Sequence, residues 1–229
     1  MQVQTLNLHF IESPSPATSH NLVEALCSMP NLTDLTLKNL NEDFYSILKE
    51  KASIIQVQTL NLHFIESPSP ATSHNLVEAL CSMPNLTDLT LVGEVFTEEF
   101  FSTLKEKASV IQVKTLNLYF IEAPSPASSH HLVEALCSMP NLSNLVLSRN
   151  LIEEFYSTLR AKASSIQGCF PQIRNGNFTL NGEAQDDLNS FLHTLTCLQS
   201  GKKSEVPSTQ SRAPLDDPGI PEKRPKYDV

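Results

Sequence analysis

The sequence predicts an α/β solenoid: a horseshoe segment with a parallel sheet on its concave side and helices on its convex side. Three observations carry this. Residues 2–37 recur unchanged as residues 56–91, and again with scattered substitutions as residues 112–147. Within each copy the apolar spacing switches from period two to the helical period. A unit this short cannot bury its own apolar face, so each copy must lean on its neighbours, and any function belongs to a surface that the stack builds.

Val3 and Val57 lie 54 residues apart and Val57 and Val113 lie 56 apart, roughly twice the 20 to 29 residues of a leucine-rich repeat. Each long unit therefore splits into two repeats. The first halves carry Val3, Leu6 and Leu8, then Val57, Leu60 and Leu62, then Val113, Leu116 and Leu118. The second halves carry Leu32, Leu35 and Leu37, then Leu86, Leu89 and Leu91, then Leu142, Leu145 and Leu147. The alternation Leu6-Asn7-Leu8-His9 turns one face of a short strand to the core and the other outward. Six such strands at about 4.8 Å spacing make a sheet roughly 30 Å wide, enough for one modest protein interface.

Between strands the helical period takes over. Leu22, Ala25, Leu26 and Met29 share one stripe, so a helix follows each first-half strand. It starts at Ser15 and Pro16 or slightly later at Thr18 and Ser19, because hydroxyls cap free amides and proline fits the first turn. Pro30 stops it. In the second half Phe44, Ile47, Leu48, Lys51 and Ala52 repeat the spacing, with Glu42 and Asp43 at the positive end of the helix dipole and Lys49 and Lys51 near the negative end. Short right-handed strand–helix units stack into a leucine-rich-repeat solenoid.

Residues 1–167 are expected to form the six repeats, and residues 168–200 a C-terminal cap. There Pro171 stands where a core leucine is due, so residues 169–174 make at best an edge strand. Asn175-Gly176 signals a turn, and Ala184, Leu188, Phe191, Leu192, Leu195 and Leu198 define a closing amphipathic helix. Residues 201–229 lack apolar residues to pack and read as a disordered tail. Lys223-Arg224-Pro225-Lys226 within it reads as a solvated segment or a weak nuclear-import signal. The entry directly into a strand at Met1 predicts a fragment of a longer receptor, or a truncated gene model.

No window reaches 18 consecutive apolar residues, which predicts neither a membrane span nor a signal peptide. Five cysteines, three of them copies of one helix position (Cys27, Cys81, Cys137), predict reduced thiols and a cytoplasmic location. The Asn-x-Ser/Thr triplets at Asn31, Asn85 and Asn141 follow from the repeat itself, and Asn177 adds a fourth. Residues 1–167 carry 17 acidic and 9 basic residues in a chain of net charge −9. Such a body repels a phosphate backbone, so a basic protein or peptide ligand is expected rather than nucleic acid.

The run Leu132-Val133-Glu134-Ala135-Leu136-Cys137-Ser138-Met139-Pro140-Asn141-Leu142-Ser143-Asn144-Leu145-Val146-Leu147-Ser148-Arg149-Asn150 resembles the ribonuclease-inhibitor type of leucine-rich repeat. More narrowly, it is similar to the C-terminal repeats of NACHT-containing NOD-like receptors. The resemblance implies repeats that sense a ligand or hold a receptor inactive, while a separate nucleotide-binding domain switches. No G-x-x-x-x-G-K-[ST] stretch occurs here. The family also places Asn where strands end, to hydrogen-bond neighbouring backbones. Only Asn150 does so; Ile11, Leu40, Ile65, Glu94 and Ile121 stand at the matching positions, and an irregular turn side is expected.

The outward strand positions supply the candidate contacts: His9, Asp34, Lys38, Asn61, His63, Asp88, Asn117, Tyr119 and Asn144, among small polar neighbours. They read either as a ligand-contact ladder or as a solvated sheet face with ordinary strand propensity. Tyr119 is the one residue there of the Trp, Tyr or Arg type that anchors interfaces. Repeated histidines two strands apart lie about 10 Å from each other, too far to share one metal, so neither metal nor cofactor is expected. The Ser19-His20-Asn21-Leu22-Val23-Glu24 constellation is copied along the stack, as a helix start would be and a catalytic site would not. The chain is read as a non-enzymatic ligand-sensing module of the NOD-like receptor type. The alternative is a structural or autoinhibitory arm acting on another domain of a longer receptor.

Overall fold

The computed structural model describes residues 3–94, 96–122 and 124–147, together with Phe155 and Thr158. Strands and helices alternate: β1 Thr5–His9, α1 Pro16–Cys27, β2 Asp34–Lys38, α2 Glu42–Lys51, β3 Thr59–His63, α3 Pro70–Ser82, β4 Asp88–Gly93, α4 Glu98–Lys107, β5 Thr115–Phe120, α5 Pro126–Ser138 and β6 Asn144–Leu147. Single 3-10 turns follow α2 and α4 at Ala52–Ile54 and Ala108–Val110. All six strands are parallel and lie in chain order in one sheet. This is the leucine-rich-repeat solenoid that the periodicity predicts. The expected cap over 168–200, the edge strand over 169–174, the tail over 201–229 and Asn150 lie outside the described residues.

Helix starts follow from local chemistry. Ser15, Ser69 and Ser125 are the N-caps of α1, α3 and α5, and their hydroxyls accept from the amides of Thr18, Thr72 and Ser128 at 3.2, 3.1 and 3.1 Å. A proline occupies the first turn each time. Of the two start points open in the sequence, the earlier is realised. Asn41 and Thr97 cap α2 and α4, accepting from the Phe44 and Phe100 amides at 3.0 and 3.3 Å. Acidic residues in the first turn and lysines in the last complement the dipole of both helices.

One backbone device repeats at every strand entrance. The Gln4 carbonyl accepts from the amides of Thr33 and Asp34 at 2.9 and 3.0 Å. Thr33, Gln58, Thr87 and Lys114 carbonyls each accept in turn from two successive amides of the following repeat. Each repeat thereby fixes the register of the next, which pairs leucine with leucine across the sheet: Leu6 with Leu35, Leu35 with Leu60, Leu60 with Leu89, Leu89 with Leu116, Leu116 with Leu145. Beyond β1 these leucines are buried, and with the apolar stripes of the helices they form a single core.

A run of aromatic rings threads that core near the strand ends. Tyr45 stacks on Phe64 with ring centroids 5.8 Å apart. Phe96 touches Phe64, Phe100, Phe101 and Phe120 at 5.3, 4.8, 6.3 and 5.2 Å. Phe96 lies in the β4–α4 connection of the 56-residue unit, so the longer spacing of that unit coincides with a hub of ring contacts. Gly93 leaves the space it needs, since a Cβ there would lie 2.9 Å from the Phe96 ring.

The turn side is more regular at its first step than the missing strand-end asparagines imply. Asn39, one position before the expected place, adopts φ 58° and donates through Nδ2 to the Phe10 and Ile11 carbonyls, both at 3.2 Å. Asparagine is among the few non-glycine residues that accept this left-handed conformation. Asn41 adds a second tie, donating to the Pro14 carbonyl at 2.6 Å while its Oδ1 accepts from the Ser19 hydroxyl at 3.0 Å.

Candidate functional site

The sheet face turned away from the helices carries the predicted contact residues, and the parallel register sorts them into three rows. Nearest the strand starts lie Thr5, Asp34, Thr59, Asp88, Thr115 and Asn144. The middle row is Asn7, Thr36, Asn61, Thr90, Asn117 and Val146. Towards the strand ends run His9, Lys38, His63, Val92 and Tyr119. From β2 through β5 these positions are half-buried or exposed while their sequence neighbours on the strands are buried, so they face outward as the alternation predicts.

Each row has its own chemistry. In the first, Asp34 and Asp88 accept from the Thr33 and Thr87 hydroxyls at 2.6 Å, and Asn144 donates to Thr115 Oγ1 at 3.4 Å. In the middle row Asn61 donates to Thr36 at 3.2 Å and Asn117 to Thr90 at 3.0 Å, a side-chain ladder that holds the amides in place across strands. The third row is cationic or titratable over β1 to β3 and apolar or aromatic over β4 and β5, where Tyr119 is 38% exposed. Asn7, Leu8, His9, Thr36, Lys38 and His63 line a shallow concavity of about 420 Å³. Partial burial, then Lys38 and His9, push the His63 pKa below its ordinary value.

The acidity that led to the expectation of a basic ligand resides elsewhere. Among the described strand residues Asp34 and Asp88 are the only carboxylates; the other described carboxylates sit on helices and connections. There Glu24 pairs with Lys51 at 3.1 Å, Glu78 with Lys107 at 2.7 Å and Glu134 with Lys105 at 2.6 Å. Net charge alone cannot say which face carries it.

Ser19, which the sequence sets beside His20 and Glu24, is buried and turned to the core, where it bonds Asn41, while His20 and Glu24 are exposed. Cys27, Cys81 and Cys137 are half-buried cysteines packed against the core. Burial first, then Glu24 and Glu78, push the Cys27 and Cys81 thiols up, away from the reactive thiolate. Asn85 and Asn141 donate to Gln56 and Gln112 at 2.6 and 2.5 Å, tying each second half to the start of its own unit. Sequence reasoning missed Asn39, Asn41 and Phe96. Their signal was their departure from the repeat at a fixed place after the strand.

The copies themselves show where variation is concentrated. Eight residues distinguish residues 112–147 from residues 56–91. Three fall on the outward sheet face, with Tyr119, Asn144 and Val146 where the earlier copy has His63, Asp88 and Thr90. The strand positions facing the core (Val57, Leu60, Leu62, Leu86, Leu89 and Leu91) are copied without change. Core packing explains the second fact, since altered volume there is felt through both neighbouring repeats.

No protein-family model matches the chain. The chain is 33% identical over 180 residues to the F-box protein SKIP17 of Arabidopsis thaliana, an alignment that takes in 75% of this chain and 36% of that protein. The chain thus matches little more than a third of its relative's length. The likeness is to an F-box protein, and together with the stacked sheet it fits a protein-interaction repeat module.

Proposed function

We propose that the chain is a protein-recognition module that binds a protein or peptide through its open sheet face, as the repeat arm of a longer protein of the F-box type. The observation that carries this is the divergence of the copies. Three of the five outward positions in the duplicated segment change chemical class between the second and third copies, while the core leucines beneath them are duplicated unchanged. The innate-immune sensing role drawn from the NOD-like resemblance rests on the repeat type alone, and the F-box likeness favours a different kind of longer protein. We read the chain as non-catalytic and cytoplasmic, a setting that the half-buried cysteines suit.

A photo-crosslinking residue placed at Asn61 on the sheet face, and separately at Glu50 on the helix side, tests the reading in cell extract. Protein adducts formed from Asn61 and absent from Glu50 are expected. Equal labelling from both sides, or labelling from Glu50 alone, overturns it. A second reading, the spacer or autoinhibitory arm, draws on the relative's much greater length. It predicts that the Asn61 adduct forms within the longer protein itself.

A further inference from the structure

Among the described residues, three basic side chains meet at the ends of adjacent strands, and Lys38 is the one lysine or arginine within those strands. His9, Lys38 and His63 are consecutive register partners on β1, β2 and β3. On the helices, Lys49 is hydrogen-bonded to Asn75 and Lys51, Lys105 and Lys107 are in ion pairs. Lys38 lies within a strand and has neither kind of partner among the described residues, a condition shared by Lys114 just ahead of β5, and neither imidazole is hydrogen-bonded or paired. The carboxylate on the same strand, Asp34, is four residues back, about 13 Å away at strand rise, and is engaged by Thr33. An acidic chain therefore presents one uncompensated cationic spot on its sheet. The same row continues into Val92 and the half-exposed Tyr119.

Resting on the recognition role proposed above, we infer that the strand-end row is a bipartite site for an extended, acidic segment of a partner protein. A carboxylate or phosphate of the segment sits over His9, Lys38 and His63, and an apolar side chain sits over Val92 and Tyr119. The spacing sets the motif. Lys38 is two strands from Val92 and three from Tyr119, about 10 to 14 Å, which an extended chain spans in about three or four residues. Charge attraction gives the acidic end its orientation and the aromatic end supplies apolar contact, the usual division of labour at a protein interface.

The full chain can be titrated with fluorescent octapeptides that hold one leucine and, three or four residues away, aspartate, phosphoserine, alanine or lysine. Aspartate and phosphoserine peptides are expected to bind about tenfold tighter than the lysine peptide, the scale of a charge-assisted contact. Their difference from each other reports whether carboxylate or phosphate is preferred. Lys38→Glu should invert the order, Lys38→Gln should flatten it, and Lys114→Glu, outside the row, should leave it unchanged. Circular dichroism confirms that each variant is folded. Peptides that bind but ignore Lys38→Glu, or that favour lysine, overturn the charge assignment. If their binding is still abolished by the bulky pair Asn61→Trp and Thr90→Trp in the middle row, the recognition role stands. Binding insensitive to that block overturns both, and adhesion to anionic lipid vesicles with no choice among peptides overturns the peptide assignment.

Discussion

Residues 2–37 and 56–91 are the same 36 residues placed twice in one molecule, and they do not have the same environment. Val57, Leu60, Leu62 and Leu76 are fully buried, whereas Val3 is 43% exposed and Leu6, Leu8 and Leu22 are only partly covered. Ala79 is buried and Ala25 is exposed. The second halves differ less, because Leu35 and Leu89 each have a strand on both sides and are both buried. Identical local preferences give the same order of elements with starts at matching residues, and burial is then set by neighbours.

The largest expected break in this symmetry is at Leu60. Leu60→Ala should cost about 2 to 5 kcal/mol, while Leu6→Ala should cost about 1 kcal/mol, since less apolar area leaves contact and the cavity opens to solvent. Leu35→Ala and Leu89→Ala should match each other within the range for Leu60. Urea melts of the four variants check the pattern; equal losses at positions 6 and 60 would show that β1 is as well covered as β3.

The caps of the two second halves come next. The Asn41 side chain caps Phe44, bonds Ser19 and holds the Pro14 carbonyl, whereas the Thr97 side chain makes the cap bond to Phe100 alone among the described residues. Asn41→Ala should therefore cost about 2 to 3 kcal/mol and Thr97→Ala about 1 kcal/mol in thermal melts.

A smaller contrast concerns one hydroxyl in its two settings. Ser19 donates to Asn41, while its copy Ser73 is buried with no hydrogen-bond partner among the described residues. Ser19→Ala should lose about 1 kcal/mol, and Ser73→Ala should be neutral or gain up to about 1 kcal/mol by removing an unsatisfied group. Destabilisation by both to the same extent would mean that Ser73 has a partner of its own.

The smallest effect is electrostatic. The folded pKa of His63 lies below its ordinary value, so as pH falls through the mid-6 range the unfolded chain takes up a proton that the folded chain resists. Stability is thus full above that range and declines below it, and His63→Gln should lessen the slope between pH 7 and 5. An anionic ligand over the row reverses the preference for the neutral imidazole, so acidic-peptide affinity should rise over the same interval. A proton NMR titration of the free and peptide-bound chain reads both signs.

Much of the fold was legible because a repeat states its own rules several times over. The period-two leucines mark each described strand and which of its residues face outward, whereas for α1, α3 and α5 the sequence leaves two start points open, of which the structure takes Ser-Pro. The turn side was less legible. Asn39 and Asn41 stand outside the duplicated segment, and the Ser19 hydroxyl reads as one more helix-start residue until the following repeat brings an amide against it.

What the sequence by itself determined is the alternation of elements and the identity of the residues on each face, because backbone period and side-chain polarity act over a few residues. Only the tertiary structure decided which of two identical segments is buried, how the rings gather around Phe96, and that His9, Lys38 and His63 become neighbours free of carboxylates. Those outcomes depend on parallel register between residues distant in the chain, which net charge and composition do not contain. Stacking turns a line of separate outward residues into rows, and the rows carry the chemistry.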